Sequence, residues 1–139
     1  MAGKTFTFFS LLFALSILVY GQDKNFSISD TVMVDKSYNL YSAGDVFLAG
    51  QPMQRNLDPL IDVGLKLVVN LRTEEEMNHL NFDQVKYLKS KKIEYIHIPM
   101  GGDNGYKADA IDKMGEMINE TDGKILIHCR SAGRATYAW

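Results

Sequence analysis

The residues best suited to chemistry lie near the end of the sequence, in "HCRSAGR" from His128 to Arg134. This segment contains the only cysteine of the protein, Cys129, and four residues separate it from Arg134. A cysteine thiolate is a strong nucleophile, and a guanidinium presents a planar pair of N–H donors to a tetrahedral oxyanion. Gly133 is expected to let the intervening loop turn without a steric penalty. The pattern predicts an anion site built around a cysteine.

The segments on either side of this loop support the interpretation. The apolar run "KILI" precedes His128 and is typical of a buried strand, whereas "ATYAW" after Arg134 contains good helix formers. Backbone N–H groups of residues 130–134 would then form an anion cradle at a helix start, and the positive field would favour the thiolate of Cys129. Non-catalytic interpretations of two residues remain open: Arg130 could be a solvated surface charge, and His128 could orient the loop rather than carry a proton.

A repeating pattern of strands and helices places this loop in a larger fold. Apolar runs predict strands and amphipathic segments predict helices, with strands at 45–50, 65–71, 93–100 and 123–129 and helices at 56–64, 73–92 and 107–120. Gly64 is expected to end the first helix, and a break is expected near Asn81. The alternation predicts an α/β fold, with a central, mostly parallel sheet flanked by helices. Ligands of such sheets bind beyond the carboxyl ends of the strands, which here means the loops 71–74, 99–106 and 129–134.

Composition and charge exclude several classes of protein. At 139 residues, with 46% hydrophobic and 23% charged residues, the chain is expected to form one globular domain. Its net charge of −2 gives no reason to expect binding to nucleic acid. The three histidines lack the spacing of metal ligands, and no glycine-rich dinucleotide motif is present, so no metal or other cofactor is expected.

The N-terminus is typical of a targeting segment. A long apolar stretch follows Lys4, and small residues precede Gln22 as a cleavage site requires. We therefore expect residues 1–21 to be a secretory signal peptide and the mature protein to be exported, periplasmic or secreted, without stable insertion in a membrane. The alternative is an uncleaved N-terminal membrane anchor. Cleavage would leave a net charge of −3 and place the unpaired Cys129 in an oxidising compartment.

The remaining sequence divides into a polar leader, 22–37, and a domain that covers residues 38–139. Only five residues follow Arg134, too few for a helix that would cover the sheet, because short isolated helices are marginal. We therefore expect the C-terminal helices of the domain to be missing from this chain.

The closing segment "HCRSAGRATYAW" resembles the active-site loop of the cysteine-dependent protein-tyrosine-phosphatase-like superfamily. The resemblance covers about residues 38–139, because "FLAGQP", "DVGLKLVVNLRTEEE" and "YIHIPM" follow the order of that superfamily. It is closest to the phosphatase-like domain of β-lactamase-hydrolase-like proteins. It implies a hydrolase of the tyrosine or dual-specificity type that acts through a phosphocysteine. The implied substrate is a phosphorylated small molecule or a phosphoprotein.

The resemblance also implies roles for the residues of the loop. Cys129 would be the nucleophile that takes up the phosphoryl group. Arg134 would bind the phosphate oxygens together with the backbone of the four residues between them, Arg130, Ser131, Ala132 and Gly133.

Two further residues enter through the resemblance. The general acid of the superfamily is an aspartate on a neighbouring loop, and Asp103 is the only acidic residue between Pro99 and the next helix. Asp109 is the reserve candidate for that role. Arg72, which ends the central strand, would either line the site or pair with the acidic residues that follow it.

Two features keep other functions open. Tyrosine phosphatases commonly have one residue more between the cysteine and the arginine, and a Ser or Thr after the arginine, where this chain has Ala135. The shorter loop is also that of single-domain rhodaneses, which hold a persulfide sulfur on the cysteine. The alternatives are a sulfurtransferase or persulfide-handling protein that uses Cys129, and a non-catalytic domain that only binds an oxyanion.

Overall fold

Five strands and five α-helices form the part of the chain that the structure, a computed structural model, describes: residues 38–139. The strands are β1 Leu40–Ala43, β2 Val46–Ala49, β3 Leu65–Asn70, β4 Glu94–His97 and β5 Lys124–His128. The helices are α1 Gln54–Asp62, α2 Glu74–Met77, α3 Gln84–Ser90, α4 Ala108–Glu120 and α5 Gly133–Ala138, and a 3₁₀ turn spans Gly102–Asn104. The expected signal peptide and polar leader lie outside the described residues.

The strands form one sheet in the order β1-β2-β5-β3-β4. β2, β5, β3 and β4 are parallel to one another, and β1 is antiparallel to β2. The predicted α/β fold with a mostly parallel sheet is therefore confirmed. β1 was not predicted, although a two-residue Gly-Asp connection, with Gly44 at φ +61°, joins it to β2 and is a known hairpin pattern.

Local sequence explains where the helices end. α1 ends at Asp62, and Gly64 follows it at φ +101°, in the left-handed conformation that stops a helix. The segment predicted as one helix with a break near Asn81 is two helices, α2 and α3. Each begins with a side-chain cap: Thr73 accepts a hydrogen bond from the backbone of Glu76, and Asp83 accepts one from Lys86. The predicted break is confirmed, because the second cap starts a new helix.

The core has two layers because side chains alternate across the sheet. On β5, Ile125 and Ile127 face one layer, together with Cys129 and residues of α4 and α5. Leu126 faces the other layer, with residues of α1 and α3. His128 shares the face of Leu126, so its side chain points away from the layer that contains Cys129.

The carboxyl ends of the four parallel strands lie at one level. The last residues of β2, β5, β3 and β4 are paired in register across the sheet: Ala49, His128, Asn70 and His97. The segments that follow these residues therefore meet at one edge, as predicted for the site. Within residues 38–139, no helix has the length and hydropathy needed to cross a membrane.

Candidate active site

Cys129 is held at this edge by the two strands beside it. Its N–H donates to the carbonyl of Ala49 on β2 (3.1 Å), and its side chain is 1% exposed. The loop that follows is tied to the segment after β2, because Gln51 N–H donates to the carbonyl of Arg130 (3.1 Å). Gly50 makes this approach possible, since a Cβ there would lie 3.3 Å from that carbonyl oxygen.

The turn of the loop is made at Ala132 and not at Gly133, which corrects the sequence-based expectation. Ala132 has φ +77° and ψ −21°. This left-handed conformation is energetically unfavourable for any residue that has a Cβ atom. Gly133 is instead the first residue of α5. Ala132 is buried, whereas Arg130 and Ser131 are exposed, and Ser131 pairs with Gly50 in an isolated bridge. The loop thus carries strain at a position where glycine would carry none.

Arg134 points its guanidinium back over the sheet edge. Its Nη1 donates to the carbonyls of Met100 (2.9 Å) and Leu71 (3.3 Å), and its Nη2 donates to the two carboxylate oxygens of Glu76 (2.6 and 2.7 Å). Burial alone would lower the pKa of Arg134, but the hydrogen bonds and charge of Glu76, and then those of Cys129, raise it. The structure therefore brings together the predicted nucleophile and the predicted anion-binding arginine.

Glu76 is a site residue that sequence reasoning missed. Burial would raise its pKa, yet hydrogen bonds from Arg134 and the Thr73 backbone, with the charges of Arg134 and Arg72, lower it overall. Its Oε2 also accepts from the Thr73 N–H (2.9 Å), which completes a capping box at the start of α2. The Thr-x-x-Glu spacing predicts that cap, but not the contact with an arginine 58 residues away.

Arg72 is 7% exposed and lies beside the same cluster. Its Nη1 donates to Oε1 of Gln51 (3.0 Å) and its Nη2 donates to the backbone carbonyl of Glu76 (2.8 Å). Of the two alternatives for Arg72, the structure favours a place at the site, because these acceptors are an amide and a backbone carbonyl and not an acidic side chain. Burial lowers its pKa; the charge of Glu76 opposes this effect, whereas the charges of Arg134 and Arg130 add to it.

His128 is fully buried on the opposite face of β5. Its Nε2 lies 3.0 Å from Nε2 of Gln84, the first residue of α3. Burial lowers the pKa of His128 to about 3; the backbone of Cys129 opposes this effect, and the charges of Arg72 and His97 add to it. This histidine is neutral at physiological pH, which agrees with an orienting role rather than one as a proton carrier.

Tyr38 is a second residue that the sequence did not indicate. Its hydroxyl donates to the carbonyl of Gly50 (3.1 Å), beside the cysteine loop. Burial and then the charge of Cys129 raise its pKa, so the phenol stays protonated.

The segment after β4 contacts Arg134 from the remaining side. A Cβ on Gly101 would lie 3.0 Å from Cδ of Arg134, so a larger residue at this position would require the arginine to shift. Asp103 follows in the exposed 3₁₀ turn, and no contact joins it to Cys129 among the described residues. Asp109 is exposed in the first turn of α4. The structure brings the loop to the site, and the role of Asp103 stays a prediction.

Several solved structures have a similar fold. The candidate DUF442 phosphatase of Shewanella putrefaciens is 22% identical, with a TM-score of 0.61 over 71% of this chain and 66% of that chain. A candidate phosphatase of Neisseria meningitidis is 18% identical, with a TM-score of 0.56 over 68% of each chain. The catalytic domain of the PP-IP phosphatase SIW14 of S. cerevisiae is 22% identical, with a TM-score of 0.53 over 73% of this chain and 61% of that chain.

These likenesses concern the fold, and the chain spans 66% or less of the length of the Shewanella and yeast structures. No curated protein sequence matches the chain significantly. A protein-family comparison is more specific, because the family described as "DSP-PTPase phosphatase fused to NAD+ kinase" matches residues 25–137. The predicted membership of the protein-tyrosine-phosphatase-like superfamily is thereby confirmed. Within that superfamily, the chain belongs to the family of DSP-PTPase phosphatases fused to NAD+ kinase.

Proposed function

We propose that this protein hydrolyses phosphate monoesters through a covalent phosphocysteine on Cys129. The observation that supports this proposal is the position of the Arg134 guanidinium. Glu76 and the Met100 carbonyl hold it beside a buried cysteine at the carboxyl edge of the sheet. A fixed guanidinium next to a nucleophile suits the charge that develops on a transferred phosphoryl group.

The first step is transfer of the phosphoryl group to sulfur. The Cys129 thiolate attacks phosphorus, the bond to the ester oxygen breaks, and Arg134 binds the phosphoryl oxygens in the transition state. Nη1 and Nη2 donate to protein acceptors, and the interaction of Arg134 with Cys129 keeps the guanidinium beside the nucleophile, where the phosphoryl oxygens would arrive. The leaving oxygen takes a proton from a general acid.

We propose Asp103 as that acid because it lies on the loop that contacts Arg134 through Gly101. The pH–rate profile of Asp103→Asn tests the role, with Asp109→Asn as the matched variant. Loss of the basic limb only in Asp103→Asn supports the assignment. An unchanged basic limb removes Asp103 from the role, and its loss in Asp109→Asn transfers the role to the reserve residue.

The second step, attack of water on the phosphocysteine, is expected to be slow. Ala135 follows Arg134 and is fully buried, so no hydroxyl stands at that position. The hydroxyl of Thr136 donates back to the carbonyls of Ala132 and Gly133 inside the helix (2.9 and 3.0 Å). A rapid burst of product alcohol followed by slow turnover is therefore expected in stopped-flow assays with an aryl phosphate. A steady rate without a burst contradicts this expectation.

The length of the loop supports a second candidate, a sulfurtransferase. Four residues separate Cys129 from Arg134, as in single-domain rhodaneses. Assays with an aryl phosphate and with thiosulfate plus cyanide separate the two activities. Phosphate release that is lost in Cys129→Ser supports the phosphatase, whereas thiocyanate without phosphate release overturns it. If neither product forms and phosphate or vanadate still raises the melting temperature, the domain only binds an oxyanion.

The substrate class and the location of the protein are part of the same proposal. A tyrosine or dual-specificity phosphatase acts on phosphoproteins, and a related fold occurs in SIW14, a PP-IP phosphatase. Phosphotyrosine peptides, phosphoserine peptides and small phosphate esters should therefore be compared by kcat/KM. Export is supported by the apolar N-terminus, and N-terminal sequencing of the mature protein is expected to start at Gln22. An intact Met1 in the purified membrane fraction would instead support the anchor.

A further inference from the structure

A chain of polar side chains connects Arg72 with His128, the residue that precedes the nucleophile. It passes from Nη1 of Arg72 to Gln51 (3.0 Å), from Gln51 to Gln84 (3.4 Å), and from Gln84 to Nε2 of His128 (3.0 Å). Its last two members, Gln84 and His128, are 2% and 0% exposed. Polar groups so deeply buried must satisfy one another, which makes the direction of each hydrogen bond informative.

The first bond determines the orientation of both amides. A guanidinium has donors only, so the Gln51 atom beside Arg72 is the acceptor Oε1. Nε2 of Gln51 correspondingly faces the carbonyl of Pro52 (3.2 Å), which can only accept. Gln51 therefore donates to Gln84, whose Oε1 accepts and whose NH₂ group faces His128.

The last bond determines where the proton of His128 lies. An amide NH₂ group can only donate, so Nε2 of His128 must accept and the proton is on Nδ1. A doubly protonated ring would place two N–H groups against each other across 3.0 Å. Nδ1 is buried without a hydrogen-bond partner among the described residues, and the backbone of Cys129 is the group that favours a proton on the ring.

We infer that Gln84 is a positioning residue for the nucleophile: it holds the ring of His128, the residue bonded directly to Cys129, as the neutral Nδ1–H tautomer. The charged or titratable side chains that act on the ring are Arg72, in the segment after β3, and His97 on β4, whereas Cys129 acts on it through its backbone. Arg72 serves both as the origin of the chain and as a charge that disfavours an imidazolium. The link to catalysis rests on the proposed function, whereas the tautomer does not.

Nitrogen NMR of the full chain labelled with ¹⁵N-histidine tests the tautomer directly, because bare and protonated ring nitrogens resonate apart. The wild-type protein is expected to show neutral, Nδ1-protonated His128 throughout about pH 5 to 8. Gln84→Glu replaces the donor by a carboxylate and is expected to move the proton to Nε2 or to make the ring titrate within that range. Gln54→Glu, with the same charge change at an exposed position, is expected to leave His128 unchanged. A wild-type signal of the Nε2–H tautomer or of an imidazolium overturns the inference.

A second variant tests whether Arg72 and Gln51 determine the orientation of the Gln84 amide. Gln51→Glu keeps an acceptor for Arg72 but cannot donate to Gln84, so Gln84 becomes free to turn and His128 is expected to exchange between both tautomers. If His128 in the Gln51→Glu protein remains entirely the Nδ1–H tautomer, Arg72 does not determine the orientation of Gln84. That result overturns the proposed hydrogen-bond relay from Arg72 to His128.

The kinetic consequence is measured with an aryl phosphate. Gln84→Glu is expected to lower kcat about tenfold with little change in KM, the size of one lost hydrogen bond, while Gln54→Glu keeps wild-type rates. A changed tautomer with unchanged kcat overturns the positioning role. If no protein, including the wild type, releases phosphate, the proposed function fails and the NMR result still decides the tautomer.

Discussion

Nη2 of Arg134 lies 2.6 Å from Oε1 and 2.7 Å from Oε2 of Glu76, so a carboxylate on α2 holds the arginine of the closing loop. The two side chains are 18% and 22% exposed, which limits screening of the pair by solvent. Glu76 is itself fixed by the capping box with Thr73. The arginine is thus oriented by another segment of the chain and not by its own six-residue helix.

Removal of this carboxylate charge should misplace Arg134. For Glu76→Gln we expect a loss of about 10- to 100-fold in kcat/KM and of about 1–3 kcal/mol in the free energy of unfolding. Chemical denaturation and steady-state kinetics measure the two effects. Glu75→Gln makes the same change at an exposed neighbour and should alter neither. Equal behaviour of the two variants would contradict the proposed role of the ion pair.

Gly101 should be required for the position of Arg134. In Gly101→Ala, the new Cβ lies 3.0 Å from Cδ of Arg134, so the arginine must shift. Gly105→Ala is the control, because Gly105 also has a positive φ (+62°, compared with +79° at Gly101), but a Cβ there would have no atom within 4 Å. Both variants should lose about 1–3 kcal/mol of stability, because each places a Cβ on a residue with a positive φ and an extended ψ, a conformation that only glycine adopts readily. Only Gly101→Ala should weaken phosphate or vanadate binding, by about tenfold, as measured by calorimetry. Similar affinities in both variants would show that the close approach has no effect on the site.

The left-handed conformation of Ala132 should be measurable as strain. Ala132→Gly and Ala135→Gly delete the same methyl group from positions that are 2% and 0% exposed. Only Ala132 has a positive φ, +77°, so only there does glycine relieve a steric penalty. We expect Ala135→Gly to be the less stable variant by about 2–3 kcal/mol in denaturant titrations, because glycine weakens helix α5 at Ala135 and also relieves strain at Ala132. A difference of about 1 kcal/mol or less, which helix propensity alone explains, would mean that Ala132 is unstrained.

The protein should lose stability in mild acid because His128 stays neutral when folded. Burial lowers its pKa to about 3, so between that pH and the ordinary value of about 6.5 the unfolded chain binds a proton that the folded chain does not. The free energy of unfolding should therefore fall as the pH falls, by about 1.4 kcal/mol per pH unit for this group.

Between about pH 6.5 and 5, the effect of His128 on stability can be measured separately from that of the carboxylates, which titrate at lower pH. Within it, His128→Gln should show a flatter dependence of stability on pH than the wild type. His79→Gln removes an exposed histidine and serves as the control. A slope in His128→Gln as steep as that of the control would contradict a neutral, buried His128.

Patterns within a few residues of one another were enough to predict most of the fold. The break between α2 and α3, the stop at Gly64 and the four parallel strands follow from caps, glycine conformation and short apolar runs. β1 was missed because its four residues, "LYSA", carry little strand pattern and obtain their hydrogen bonds from β2. The sheet edge was predicted for the same local reason, since parallel strands end at one side.

The nucleophile candidate and its arginine can be identified without a structure, because both lie in one short loop after one strand. Their surroundings depend on contacts between distant segments of the chain. Glu76, Gln51 and Gln84 are ordinary polar residues in the sequence. They gain a role only when separate segments meet and bring them against Arg134, Arg72 and His128. Ala132 takes the left-handed turn in place of Gly133 for a related reason: the bridge of Ser131 to Gly50 fixes the loop before Gly133 is reached. Local patterns reveal a residue's conformational preference, whereas charge pairs and buried hydrogen bonds depend on long-range contacts.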